Sequence, residues 1–264
     1  MMGRRLQAVV FDWAGTMIDF GSRAPVVALC RLFDREGVPI DEAEARADMG
    51  MAKRDHIVAL LAKPRIARAW AVTHGTGPVE ADGARLFAAI EPLMRDAARD
   101  CATLIPGAAA VAARLQAAGV RVGSCTGYTR AMMADILPHA EAQGYRPDCV
   151  VCAGETAIGR PSPLMLWKNL VELGAWPADA CVKVDDAAVG IAEGRAAGVW
   201  TIGVAASGNG VGLSQTALDA LPAPDRAERI AAAGAALRAV GAHVVIDTVA
   251  DLPRALAEVS LTIG

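Results

Sequence analysis

Residues 11–19 read FDWAGTMID, and the apolar run Leu6–Phe11 (LQAVVF) leads straight into the first carboxylate of that stretch, Asp12. A short run rich in apolar and β-branched residues predicts a buried strand. An aspartate at its end, with Gly15 and Thr16 close behind, has two readings. One is a helix cap, the commoner use of such a residue. The other is a reactive carboxylate at the edge of a sheet. The residues that the remaining strands carry at the same edge decide between them.

Five further runs have strand character: Val120–Cys125 (VRVGSC), Cys149–Cys152, Cys181–Val184 (CVKV), Trp200–Val204 (WTIGV) and His243–Ile246 (HVVI). Helical patterns lie between most of them. Pro106 opens one helix and Gly119 closes it; Ser162-Pro163 opens another and Gly174 closes it. Strands alternating with helices predict an α/β fold, a doubly wound parallel sheet covered on both faces. Residues 21–100 break the rhythm, with helical periodicity almost throughout and no convincing strand. The expected organisation is therefore a discontinuous α/β core, 1–20 and 101–264, with an inserted α-helical cap domain over 21–100. SGNGVG (Ser207–Gly212) has a G-x-G but not the full dinucleotide fingerprint, and reads as a surface loop.

Ligands of an open α/β sheet sit beyond the carboxyl ends of its strands. Asp12 ends the first strand, Thr126 (SCTGYT) the second, and Asp185 and Asp186 (VKVDDA) the fourth. Four such groups at matching strand ends are hard to dismiss as caps. Carboxylates gathered in a partly dry site raise one another's pKa, and a divalent cation relieves the repulsion. An all-oxygen set favours Mg²⁺.

FDWAGTMID, the Thr126 segment, the basic Arg160 in GRPSP and the VDD strand end resemble the four motifs of the haloacid dehalogenase superfamily, in the same order and on the same strands. The resemblance implies that core fold and a nucleophilic Asp12 that forms an aspartyl-phosphate. Phosphatases of the superfamily carry a second Asp two residues on, which protonates the departing alkoxide; here that residue is Ala14. Without that acid the site is poorly suited to phosphate esters. Cleavage of a C–P bond releases a carbanion instead, which needs an electron sink, and a lysine imine supplies one. MGMAKRDHIVALL puts Lys53 and His56 on one helical face. That segment, with FDWAG, TGYTR, GRPSP and VDD…EGRAAG, resembles the phosphonatase branch, whose cap lysine forms a Schiff base with an aldehyde. Read alone, Lys53, in a stretch of charge with Arg54 and Asp55, is a solvated surface residue and His56 a structural hydrogen-bonder. By the resemblance, Lys53 forms the imine and His56 transfers protons.

The same resemblance implies a Mg²⁺ held by Asp12, Asp186 and the backbone carbonyl of Ala14. Thr126, the Gly127 amide and Arg160 would bind phosphonate oxygens, and Met49 would line the cap side. A second acid often stands four residues past the motif-four aspartate; here that residue is Gly190, and the pair Asp185–Asp186 stands instead. Neighbouring strand residues point to opposite faces, so Asp186 is expected on the metal and Asp185 behind it.

The bulk numbers limit the alternatives. Net charge is -3 and there is no Lys/Arg run, which argues against nucleic-acid or membrane-surface partners. No signal peptide or membrane span is expected. The six cysteines, mostly in strand-like runs, read as free thiols of a cytoplasmic protein, and Cys149-x-x-Cys152 has no partner set for zinc. The substrate is expected to be a small phosphonate, and the family implies a homodimer. The apolar residues of Val26–Phe33 offer either a dimer face or cap core, the latter being the commoner use of such a stripe. A 2-haloacid dehalogenase also lacks the second Asp, but needs neither the VDD pair nor Lys53. A purely binding protein of this fold would lack Asp12.

Overall fold

The computed structural model describes residues 4–47, 53–259 and 261–262. The chain divides into two compact units, Met1–Arg23 with Cys101–Gly264, and Ala24–Asp100.

The first unit is built on a six-stranded sheet. A two-residue strand, β1 (Arg4–Arg5), pairs in parallel with the last, β8 (Leu261–Thr262). Between them run β2 (Ala8–Phe11), β3 (Arg121–Thr129), β4 (Cys149–Ala153), β5 (Cys181–Asp185), β6 (Trp200–Val204) and β7 (Val244–Ile246). Their order is β4-β3-β2-β5-β6-β7, and every pairing is parallel. All six expected strands are present. The order reverses at β2, so β2 lies between β3 and β5 and its carboxyl end falls at the topological switch point. Every residue of β2 and β5 is buried, as a strand covered on both faces requires. On one side Ala8, Val10, Cys125 and Val151 pack with Met165, Leu166 and Leu170.

The second unit is all helical among the described residues: α1 (Ala24–Arg35), α2 (Glu42–Arg46), α3 (Lys53–Ala62), α4 (Pro64–His74) and α5 (Glu80–Asp100). The stripe of α1 is cap core: Val26, Leu29, Leu32 and Phe33 are buried as α1 packs along α5.

The helices that cover the sheet are α6 (Ala108–Ala117), α7 (Arg130–Ala142), α8 (Leu164–Leu173), α9 (Ala188–Ala197), α10 (Gln215–Asp219), α11 (Ala223–Ala239) and α12 (Leu252–Glu258). α8 begins after Pro163 and ends at Gly174 in the left-handed region, as its punctuation predicts. Among the described residues no helix is long and apolar enough to cross a membrane.

Candidate active site

The backbone just beyond Asp12 separates its two readings. The Asp12 amide donates to the Val184 carbonyl at 2.9 Å, which extends the β2–β5 pairing by one residue. The chain then turns on itself. The amides of Met17 and Ile18 both donate to the Trp13 carbonyl (2.8 and 3.0 Å), and Gly15 donates to Ile18 (2.8 Å). The next helix, α1, opens only at Ala24. Asp12 is therefore not a helix cap, and its carboxylate is left at the sheet edge, 7% exposed. Gly15 is held at φ 81°, and a Cβ there would run into the Asp186 carboxylate. Only glycine permits that approach.

Asp185 is the last residue of β5, fully buried, and Asp186 lies in the bend beyond it. Strand alternation stops at Asp185, so the two neighbours need not face apart. Ligand atoms of Asp12, Asp185 and Asp186 all lie within 4.8 Å of one another. Asp186 accepts from the Asn209 amide at 2.7 Å, and Asp185 from the Ala187 amide at 3.0 Å. At Gly190, where the superfamily pattern would put a second acid, a Cβ would overlap the Asp185 carboxylate. That carboxylate fills the space a side chain at 190 would enter.

Arg160 reaches this centre. Its Nη1 donates to Asp12 at 2.9 Å and lies 3.6 Å from Asp185; its Nη2 donates to the Cys125 carbonyl at 2.6 Å. Behind it, Lys183 Nζ lies 3.1 Å from Asp185 and 3.6 Å from Glu193, both acids fully buried. Thr126 is buried at the end of the regular β3–β4 register and accepts from the Tyr128 amide at 3.1 Å. Gly127, next to it, is exposed, and a Cβ there would meet nothing within 4 Å.

The electrostatics follow from this crowding. Burial, and then the neighbouring Asp185, push the Asp12 carboxyl up to about 6, against the pull of Arg160 and Lys183. Burial followed by Asp12 raises Asp186 well above the usual carboxylate range. With all four buried carboxylates (Asp12, Asp185, Asp186 and Glu193) ionised, as a bound cation would favour, the two cations Arg160 and Lys183 would leave two negative charges. One divalent cation supplies that balance, and the oxygen-only donors suit Mg²⁺ chemistry.

In the helical unit, Lys53 is half-buried at the start of α3 and His56 is buried one turn on. Withdrawal from solvent lowers the Lys53 ammonium to about 8. Met49 lies outside the described residues. All six cysteines are free, and burial raises the thiols of both Cys149 and Cys152, as fits core or part-buried positions.

Three features of the site are not evident from the sequence. The SGNGVG segment is not a surface loop at its start. Ser207 is fully buried and donates from Oγ to the Gly15 carbonyl at 2.8 Å, and Gly208 packs so closely that a Cβ would stand 2.7 Å from that of Asp186. Its position after a strand, at the ligand-binding edge, is the one signal the sequence offers. Tyr128 is buried, and burial followed by the surrounding Asp19 and Asp12 pushes its hydroxyl well above the ordinary value. Lys183 carries charge inside the apolar strand run CVKV, and Glu193, with Arg195 two residues on, reads as part of a solvated helix face.

Comparison with known proteins places these features in a family. The haloacid dehalogenase-like hydrolase family matches residues 6–198. A phosphonoacetaldehyde hydrolase of Paraburkholderia phytofirmans is 49% identical over 249 residues, covering 94% of this chain and 93% of the relative. Another, of Hahella chejuensis, is 46% identical over 251 residues, covering 95% of this chain and 85% of the relative. The crystal structure of a phosphonoacetaldehyde hydrolase-like protein from Oleispira antarctica superposes with a TM-score of 0.89 at 42% identity, covering 98% of this chain and 94% of that one.

Proposed function

The chain belongs to the haloacid dehalogenase-like hydrolases, within their phosphonoacetaldehyde hydrolase group, and from that premise we propose that it hydrolyses the C–P bond of phosphonoacetaldehyde to acetaldehyde and phosphate in phosphonate breakdown. One observation carries the reading: a buried carboxylate centre suited to phosphoryl transfer, with Ala14 where an ester-cleaving enzyme needs a proton donor.

In this reading Lys53 condenses with the aldehyde, losing water to form an imine. A reference ammonium near 10.5 would be almost wholly protonated at neutral pH; at about 8, roughly a tenth is free amine at pH 7. His56, one helical turn away, carries protons for the condensation. Asp12 attacks phosphorus, the C–P bond breaks, and its electron pair moves into the enamine. Protonation at carbon and hydrolysis return acetaldehyde and free Lys53. Water then cleaves the aspartyl-phosphate. Thr126, the Gly127 amide and Arg160 bind the phosphonate oxygens, and Met49 borders the aldehyde.

Asp12, Asp186 and the Ala14 carbonyl, with the Asp185 carboxylate in the same cluster, would hold Mg²⁺, which would neutralise charge on the transferring group. The protein's own part is positioning and fixed charge.

Borohydride in the presence of phosphonoacetaldehyde, followed by peptide mapping, tests this directly. A stable two-carbon adduct on Lys53 is expected, and none in Lys53→Arg. Turnover in Lys53→Arg at near the parent rate would remove the imine from the mechanism.

A further inference from the structure

Lys183 and Glu193 lie behind the centre and touch none of the atoms at which the reaction runs. Lys183 pairs with Glu193, and Glu193 in turn with Arg160. The guanidinium is planar, so fixing two of its nitrogens fixes the third. Its Nε lies 3.2 Å from the Glu193 carboxylate, and its Nη2 donates to the Cys125 carbonyl at 2.6 Å. With Nη2 hydrogen-bonded and Nε ion-paired, without a hydrogen bond, to Glu193, Nη1 is directed at Asp12, 2.9 Å away.

We propose that Glu193, with Lys183 as its counter-ion, is a positioning residue that sets the pose of Arg160 toward the phosphoryl group. Lys183 has the complementary task. It bridges Glu193 and Asp185, at 3.6 and 3.1 Å, two buried carboxylates beside Arg160 that would otherwise repel. The sequence accounts for the reach of Glu193. It sits on α9 between Gly190 and Gly194. A Cβ at Gly190 would overlap Asp185, and one at Gly194 would stand 2.5 Å from Thr201 and 3.0 Å from Lys183. Glycines four residues apart let α9 lie against β5 and β6, so that the glutamate between them is pressed into the charge network instead of facing solvent.

The inference rests on the proposed role of Arg160 in binding phosphoryl oxygens, and the test separates the two. Inorganic phosphate binding, with Mg²⁺ present, is measured calorimetrically at 25 °C beside steady-state kinetics for the parent, Glu193→Gln, and Lys183→Met with and without Glu193→Gln. Glu193→Gln keeps shape and loses charge. It is expected to weaken phosphate binding and lower kcat/KM by about 10-fold or more, with KM rising more than kcat falls. The Lys183→Met loss should shrink when Glu193→Gln is added, since the stranded charge is then gone. Phosphate affinity and kcat/KM within about two-fold of the parent in a folded Glu193→Gln, with only its unfolding temperature lowered, would reduce Glu193 to a structural role and overturn the inference. A parent that binds phosphate equally well after Arg160→Ala would overturn the reading of Arg160, and this inference with it.

Discussion

In the proposed mechanism Asp12 has to be ionised both to bind a cation and to attack phosphorus, yet burial holds its carboxyl near 6 instead of 3.8. The folded protein therefore takes up a proton at this group that the unfolded chain, between those two values, does not. Stability of the metal-free protein falls as pH rises through that window. Divalent cations bind the ionised form, so Mg²⁺ should raise the melting temperature clearly above pH 6 and progressively less below it. Thermal melts with and without Mg²⁺ from pH 5 to 8 check this; equal protection across the range would separate Asp12 from metal binding. Lys53 works in the opposite sense. Its amine becomes available as pH rises toward about 8, so imine trapping should increase from pH 6.5 to 8.5. The identity of both residues is legible in the sequence, from a strand end and from a resemblance. Their pKa values are not, since desolvation depends on neighbours distant in the chain.

Two elements, the end of β5 and the start of α9, govern where the acids stand. Sequence spacing alone puts Asp185 and Asp186 on opposite faces, a rule that holds only within a strand. β5 ends between them, and both carboxylates reach one centre. Gly190 looks like a missing acid and is the space for an acid that arrives from the neighbouring strand. Gly190→Ala is accordingly expected to destabilise the fold by about 1–3 kcal/mol, through overpacking at a rigid helix–strand contact. It should also weaken Mg²⁺ binding, because Asp185 must shift. Urea unfolding and a Mg²⁺ titration measure the two effects; an alanine tolerated within experimental error would show that α9 can move away from β5. The buried Ser207–Gly208 segment belongs to the same scale. A run of small residues gives no hint of burial by itself, and becomes interpretable only once β6 delivers it to the sheet's ligand edge.

For the molecule as a whole, the strand order brings residues 12, 126, 160 and 185–186 to one end of a single sheet, though they are spread over more than half the chain. The helical unit uses the stripe of α1 internally. If the homodimer that the resemblance implies forms, these buried residues are not its interface, and light scattering at micromolar concentration should give twice the chain mass of 27.2 kDa. Polar substitution at Leu29, inside the unit, should unfold it and not merely split a dimer; folded monomers from such a variant would return α1 to the interface.

Local sequence determined the strands, most of the helix punctuation, the helical insertion, the Asp12 segment at a strand end and the presence of Ala14 where an acid often stands. Each is written in the periodicity, turn residues and motif spacing of a short stretch, where side-chain pattern and backbone preference act together. The tertiary structure alone decided that Asp185 joins Asp12 and Asp186, that Gly190 makes room for it, and that Glu193, paired with Lys183, lies against Arg160 from behind. Those facts depend on through-space distances of a few ångströms between residues far apart in the chain. Coulomb forces and excluded volume act over that space and not along the sequence.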